Sequence, residues 1–397
     1  MIYILIIIAI LIIVVGLIST RDNIFSPSVI TAAVWLCCLV LFQILPHNLP
    51  LLTTQFTISL LFWLALLSVS SLWIQPIAIK NQTAPTQASK LVRNIYLVIS
   101  IISLIFFLFW VKNVMSNGFS AGWAGKLRNA ALGNTADSTE VYAGMQVLIW
   151  YISMILELLY VEKKRWYRLA IPMFCCLAFG FFTMSKSMIL NVIITTLCVL
   201  FFKKIVKVSH VATSLIVLFV FFLGFQTLRQ NQEIKANSFT TIYMLSSMTA
   251  FDMIKPKSAE HFGENTFRIY YAITYKLGLS DTKPVEIILK FIKKPIHTNI
   301  YTGMYPFFKD FGLFGVIIFA ILYGLLYGYL FARAKCGNMF CIGLYSYLAY
   351  AIAIQFTVDL PMTNIAGYLK FTIFLAIPFL AEKYKLFYKK EKTPEIT

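Results

Sequence analysis

Charge is scarce in this chain. Asp, Glu, Lys and Arg make up 13% of its residues, about half the share found in soluble domains. That shortage excludes an ordinary water-soluble enzyme. Acids are scarcer than bases, 16 against 34, which leaves little material for a carboxylate metal cage and favours metal-free chemistry. Histidines number four. The seven cysteines fall in apolar stretches or beside basic loops, so no disulfide is expected, and no Cys/His spacing matches a zinc site. There is no phosphate-binding glycine loop, no dinucleotide fingerprint and no cytoplasmic domain, which argues against ATP-driven transport. Internal repeats of the kind secondary transporters carry are absent. Residues 2–18 lack a basic leader and a small-residue cleavage site, so they are read as a retained span.

Hydrophobic residues reach 59% of the chain and the mean hydropathy is +0.79. Apolar runs near the length needed to cross a bilayer recur throughout. They are continuous, not alternating, which argues against a β-barrel. The pattern predicts an all-α polytopic integral membrane protein of about eleven spans: 2–18, 28–45, 57–77, 94–111, 141–160, 169–183, 188–202, 211–228, 311–331, 340–358 and 366–381. The sixth and seventh are short and close together, so a tilted or re-entrant pair is the alternative.

Orientation follows from Lys and Arg. One set of short loops holds Arg21, Lys80, Lys90, Arg93, Lys163, Lys164, Arg165, Arg168, Lys203, Lys204, Lys207, Arg333, Lys335 and the tail lysines from Lys383 to Lys392. The alternate loops hold only Lys112, Lys126, Arg128, Lys186 and Lys370. The first set is expected in the cytoplasm, with the N-terminus and the long loop 229–310 outside and the C-terminus inside. The net charge of +18 is thus largely a topology signal and a partner for lipid headgroups, and it is not read as nucleic-acid binding.

Three parts follow: an N-terminal bundle over 1–228, a large loop over 229–310, and a C-terminal bundle with a tail over 311–397. Within the loop, 239–253 reads as a helix. Residues 266–277 place Phe267, Tyr270, Tyr271 and Tyr275 at helical spacing. Residues 284–294 begin with Pro and end in lysines, which predicts a helix lying on the membrane surface.

The loop re-enters the apolar region through His297-Thr298-Asn299-Ile300-Tyr301, then Asp310-Phe311-Gly312-Leu313-Phe314-Gly315. A large loop followed by His-x-Asn-x-Tyr and Asp-Phe-Gly-x-x-Gly resembles the O-antigen polymerase family, the oligosaccharide repeat unit polymerases. The run His261-Phe262-Gly263-Glu264-Asn265-Thr266-Phe267 resembles that family's loop pattern. The hairpin Thr183-Met184-Ser185-Lys186-Ser187 resembles a place where relatives carry Ser-Arg; here Lys weakens bidentate phosphate binding. The His and Asn are also similar to those of O-antigen ligases.

The resemblance implies a GT-C-like membrane glycosyltransferase architecture in the bacterial inner membrane. It implies polymerisation of undecaprenyl-pyrophosphate-linked oligosaccharides at the periplasmic face, without a cofactor, with the bilayer and a chain-length regulator as further partners. A sugar hydroxyl then needs a base, and the departing pyrophosphate needs cations. His297 is the candidate base, Asn299 orients substrate, and Asp310 sets the imidazole. Arg128, Lys186, Arg229 and Arg268 are candidate pyrophosphate ligands, and Tyr301 a candidate sugar contact. Each has a plainer reading. His297 caps the Pro295 turn, Asp310 is the N-cap of the next span, Arg229 snorkels, Arg268 stacks on aromatics, and Tyr301 and Tyr305 are interfacial aromatics. Gly312, Gly315, Gly324 and Gly328 read as helix contacts. A flippase or transporter for the same lipid-linked glycan, and an O-antigen ligase, are the competing functions.

Overall fold

The computed structural model describes residues 1–80, 87–116, 127, 140–162, 165–183, 185–214, 245–286, 289–292 and 298–385. Among them the chain is helical, and its only strand-like pairing is an isolated bridge between Ile292 and Thr298. The helices are α1 Ile2–Thr20, α2 Pro27–Ile44, α3 Thr54–Lys80, α4 Lys90–Ser116, α5 Glu140–Leu159, α6 Tyr167–Phe182, α7 Lys186–Phe202, α8 Ser246–Asp252, α9 Arg268–Lys276, α10 Tyr305–Phe311, α11 Leu313–Lys335, α12 Met339–Ala353, α13 Leu360–Thr363 and α14 Ile365–Lys383.

Six of these, α1, α2, α3, α4, α11 and α14, are long and apolar enough to cross a membrane. The protein is therefore a helical multi-pass membrane protein. Four further expected spans correspond to shorter apolar helices, Met145–Leu159 within α5, Tyr167–Phe182, Lys186–Phe202 and Met339–Ala353. The eighth expected span, 211–228, lies mostly outside the described residues.

Lipid as solvent explains the surface of α1. Its buried side is a single stripe, Leu5, Ala9, Gly16 and Thr20, at helical spacing, while Ile4, Ile7, Leu11, Val14 and Ile18 are exposed. A Cβ on Gly16 would meet Val29 and Ser28, so glycine allows α1 and α2 to cross closely.

Two compact units interleave along the chain. The first comprises Met1–Gln82, Val206–Cys336 and Tyr347–Leu369; the second comprises Thr83–Ile205, Gly337–Ser346 and Lys370–Thr397.

In the first unit the most extensive packing is between α3 and α11. Small residues make it possible: a Cβ on Gly324 would strike Ser70 and Leu67, and one on Gly328 would strike the Ser71 backbone. The expectation of helix contacts at these glycines holds. An aromatic core sits at one end of this pair. The rings of Phe307 and Phe319 stack at 4.1 Å, Trp63 stacks on Phe307 at 6.1 Å, and Tyr323 meets Phe307 edge-on.

In the second unit α4, α5, α6 and α7 pack together. Trp150 donates its indole N–H to Ser103 Oγ at 2.7 Å. Glu157, 4% exposed, receives Arg168 and Arg93. The expected hairpin between the sixth and seventh spans is tight: Ser185 N–H bonds Gly180 O at 2.8 Å.

Candidate functional site

The long loop is built onto the α3–α11 pair. Asp252, the last residue of α8, caps the start of α3 across the fold. Its carboxylate accepts Thr53 N–H at 2.6 Å and Phe56 N–H at 3.2 Å. Two of the otherwise unpaired N–H groups at that helix end are thereby satisfied. Gln55 Nε2 adds a bond to Ile254 O at 2.9 Å. The next stretch lies along α10, with Ser258 N–H on Lys309 O at 2.8 Å.

Asp310 then fixes the entry to α9. Its carboxylate accepts Asn265 Nδ2 at 2.6 Å, Thr266 N–H at 2.7 Å and Asn265 N–H at 3.1 Å. It lies within α10, and Gly312, with φ of 66°, is the N-cap residue of α11. The expected N-cap role for Asp310 is therefore corrected: the turn at Gly312 separates it from α11, and its oxygens serve the 263–266 turn. Gly263 in that turn has φ of 64°, and a Cβ there would collide with the Phe267 ring.

The aromatic helix expected at 266–277 forms as α9. Its Arg268 Nε donates to Val285 O at 2.6 Å, and Tyr271 OH donates to Phe262 O at 2.8 Å. The helix expected over 284–294 is not formed at the described residues 284–286 and 289–292. The physical reason is competition for the backbone: the single Ile292 N–H, which a helix would use internally, donates to Thr298 O at 2.7 Å. Val285 O is taken by Arg268, Lys290 O by Tyr301 OH at 3.1 Å, and Ile292 pairs with Thr298.

These connections enclose a pocket of about 870 Å³. Lys255, Lys283, Lys290 and Lys309 line it, together with Glu260, Glu264, Asp281 and Glu286. None of these eight is in an ion pair among the described residues. Tyr301 and Tyr305 form one wall with ring centroids 4.6 Å apart, and Lys309 Nζ donates to Tyr305 OH at 3.2 Å. Burial pushes both tyrosine hydroxyls up to about 12, so they remain neutral at any ordinary pH; the Tyr301 proton goes to Lys290 O, while Tyr305 OH keeps its proton to donate. Such a pocket can bind an anion through lysine, hydrogen-bond hydroxyls through carboxylates, and stack sugar faces on tyrosine.

A smaller cavity shares Tyr301, Tyr305 and Leu289 with the first and is also lined by Asn265, Arg268, Thr302 and Asp359. Burial pulls the Arg268 guanidinium below its ordinary value.

Among the residues expected from the sequence, Arg268 and Tyr301 meet at this smaller cavity, and Asp310 anchors its wall through Asn265. Asn299 is half-buried in the returning chain. Lys186 is the first residue of α7, in the second unit. Arg128, Arg229 and His297 lie outside the described residues. The sequence reading missed Thr302, Gln355 and Asp359. Asp359 carried a usable signal, as the only acid between residues 311 and 381.

Gln355 and Asp359 lie in the non-helical stretch between α12 and α13. Gln355 Oε1 accepts Trp63 Nε1 at 2.7 Å and Trp35 Nε1 at 3.4 Å, and its Nε2 donates to Thr31 and to Ile352 O. Asp359 Oδ1 accepts Tyr323 OH at 2.7 Å. Non-helical backbone in a membrane protein persists where protein buries it or a polar cavity meets it. Among the described residues no group of three or more His, Cys, Asp or Glu is placed to hold a metal ion. Comparison with models of known protein families, with curated proteins and with solved structures finds no match.

Proposed function

We propose that this chain is a membrane glycosyltransferase that polymerises polyprenyl-pyrophosphate-linked oligosaccharide repeat units, in the manner of the O-antigen polymerases its motifs resemble. The observation that carries the reading is the 870 Å³ pocket of lysines, carboxylates and paired tyrosines, built by the long loop on the ends of α3 and α11. Its mixture of groups suits a substrate that is at once anionic and polyhydroxylated. Lipid-facing helices in the same unit give a lipid tail somewhere to lie.

In this reading the pocket faces the periplasm from the inner membrane, with the C-terminal tail in the cytoplasm. The pocket lysines Lys255, Lys283, Lys290 and Lys309, with Arg268 beside them, hold the pyrophosphate of the donor and stabilise its departure. The resemblance makes His297 a candidate to take the acceptor proton and Asn299 to orient the sugar, while Asp310 acts by holding α9 and Asn265 in place. A ladder of surface glycan from a deletion strain tests the function. Loss of a polymerase leaves a single repeat on the acceptor, loss of a ligase leaves none, and loss of a flippase leaves lipid-linked units at the cytoplasmic face. Either of the last two patterns refutes the reading.

A further inference from the structure

Asp359 and Thr302 line the smaller cavity; the Asp359 carboxyl is held by Tyr323 OH and by the Met362 backbone N–H, and Asp359 Oδ2 and Thr302 Oγ1 have no side-chain partner among the described residues. Both residues are almost wholly buried, at 4% and 0% exposure. Their neighbour Gln355 shows that this region can satisfy its polar groups, since both ends of its amide are bonded. A buried oxygen left unpaired costs on the order of 1–3 kcal/mol, so two on one small cavity call for a ligand that supplies donors.

Size and chemistry narrow the ligand. The cavity has room of about 40 Å³, more than one water-sized group requires but too little for a sugar ring. A carboxylate oxygen accepts, while a threonine hydroxyl both donates and accepts; together they fit a single hydroxyl group. The ring that carries this hydroxyl would remain in the larger pocket, against the shared wall of Tyr301 and Tyr305. On the other side Tyr323 holds Asp359 Oδ1, which fixes the carboxyl of a residue lining the cavity. The titratable groups around Asp359 are Tyr323, Tyr327, Tyr368, Tyr301, Tyr305, Arg268 and Glu286. Arg268 is the cation among them.

We propose that Asp359, held by Tyr323 and assisted by Thr302, binds the attacking hydroxyl of the acceptor saccharide and accepts its proton. This rests on the glycosyltransferase reading and gives that reaction a base among the described residues, in place of His297. The balance is complete. The hydroxyl proton moves to Asp359 Oδ2 as the oxygen forms a bond to the anomeric carbon of the donor. The bond from that carbon to the pyrophosphate oxygen breaks, and its electron pair leaves with the polyprenyl pyrophosphate. The proton on Asp359 then passes to water.

The test uses lipid-linked saccharide extracted from the deletion strain as the probe, and the full chain reconstituted in lipid. Asp359→Asn keeps the shape and the Tyr323 bond but cannot take the proton. It is expected to lower kcat about 10²–10⁴-fold with KM little changed, while Thr302→Val mainly raises KM. Near-normal kcat in Asp359→Asn overturns the inference and leaves the glycosyltransferase reading standing. No transfer by the wild-type chain, with no lipid-linked saccharide accumulating in the strain, overturns that reading and the inference with it. Should Asp359→Asn fail to accumulate, the wild-type chain supplies the answer. Dicyclohexylcarbodiimide, which attacks carboxyls while they are protonated, is expected to label Asp359 at acidic pH, where the base is switched off, with labelling reduced by the probe. Absence of labelling at acidic pH, or labelling the probe does not reduce, overturns the inference.

Discussion

Arg168 Nε lies 2.9 Å from Glu157 Oε2, and Arg93 Nη2 approaches the same carboxylate at 3.4 Å. Arg168 also reaches Asn94 at 2.6 Å. Three helices, α4, α5 and α6, are thus tied through one buried acid. The two arginines read in sequence as topology signals also serve as the partners that make burial of Glu157 tolerable. Removing one partner of a buried pair costs about 3–5 kcal/mol. Glu157→Ala should therefore greatly reduce the folded protein recovered from membranes, measured by fluorescence-detected size exclusion. Normal recovery would show that the cluster is dispensable.

The α3–α11 seam gives a second prediction. Gly324 faces Ser70 and Leu67, and Gly328 faces Ser71 and Ile74, with no room for a Cβ. Gly324→Val and Gly328→Val should each destabilise by at least the 1–3 kcal/mol typical of overpacking. Glycines elsewhere provide the control: Gly278 and Gly337 have open space around them. Their positive φ, 69° and 85°, calls for Asn as the replacement, and Gly278→Asn should be nearly silent in a thermal melt.

Asp310 is predicted to act as an anchor. Its charge-assisted bonds to Asn265 and Thr266 are worth about 1.5–3 kcal/mol each before coupling. Asp310→Ala should release the 263–266 turn, seen as faster hydrogen exchange across α9 with the α3–α11 pair unaffected. Asp310→Asn should retain part of the protection. Unchanged exchange in Asp310→Ala would remove the anchoring role.

The histidines offer a direct comparison. His47 Nε2 lies 2.8 Å from Phe42 O, and its Nδ1 accepts Leu49 N–H, while His210 Nδ1 accepts Lys207 N–H. Both serve local turns, so His47→Ala and His210→Ala should leave polymer length intact. If His297 is the base, His297→Ala leaves mostly single-repeat glycan. If Asp359 is the base, His297→Ala retains polymer and Asp359→Asn loses it. Polymer retained in both would remove the acceptor-proton role from each.

The proposed orientation is open to reporter fusions at Lys257, in the pocket loop, and at Lys390, in the tail. Activity of a periplasmic reporter is expected at the first site and of a cytoplasmic reporter at the second. A cytoplasmic signal at Lys257 would remove the pocket from the side where the proposed substrates lie.

Much was legible in the sequence because the physics is local. Twenty-residue apolar runs can satisfy their backbone in lipid only as helices, so α1 to α4, α11 and α14 follow from composition. The same holds for the aromatic spacing of α9, and for Gly324 and Gly328, one helical turn apart on α11. What only the tertiary structure decided is where the polar groups of distant segments meet. The helix expected at 284–294 gives way where Ile292 N–H donates to Thr298 O and side chains of Arg268 and Tyr301 bind Val285 O and Lys290 O, which no local pattern records. Trp63 and Gln355 meet across 292 residues, and Tyr323 and Asp359 across 36. Periodicity reports which face of a helix is apolar. It does not report which buried acid lines a cavity, because that depends on the packing of α11 against the stretch between α12 and α13.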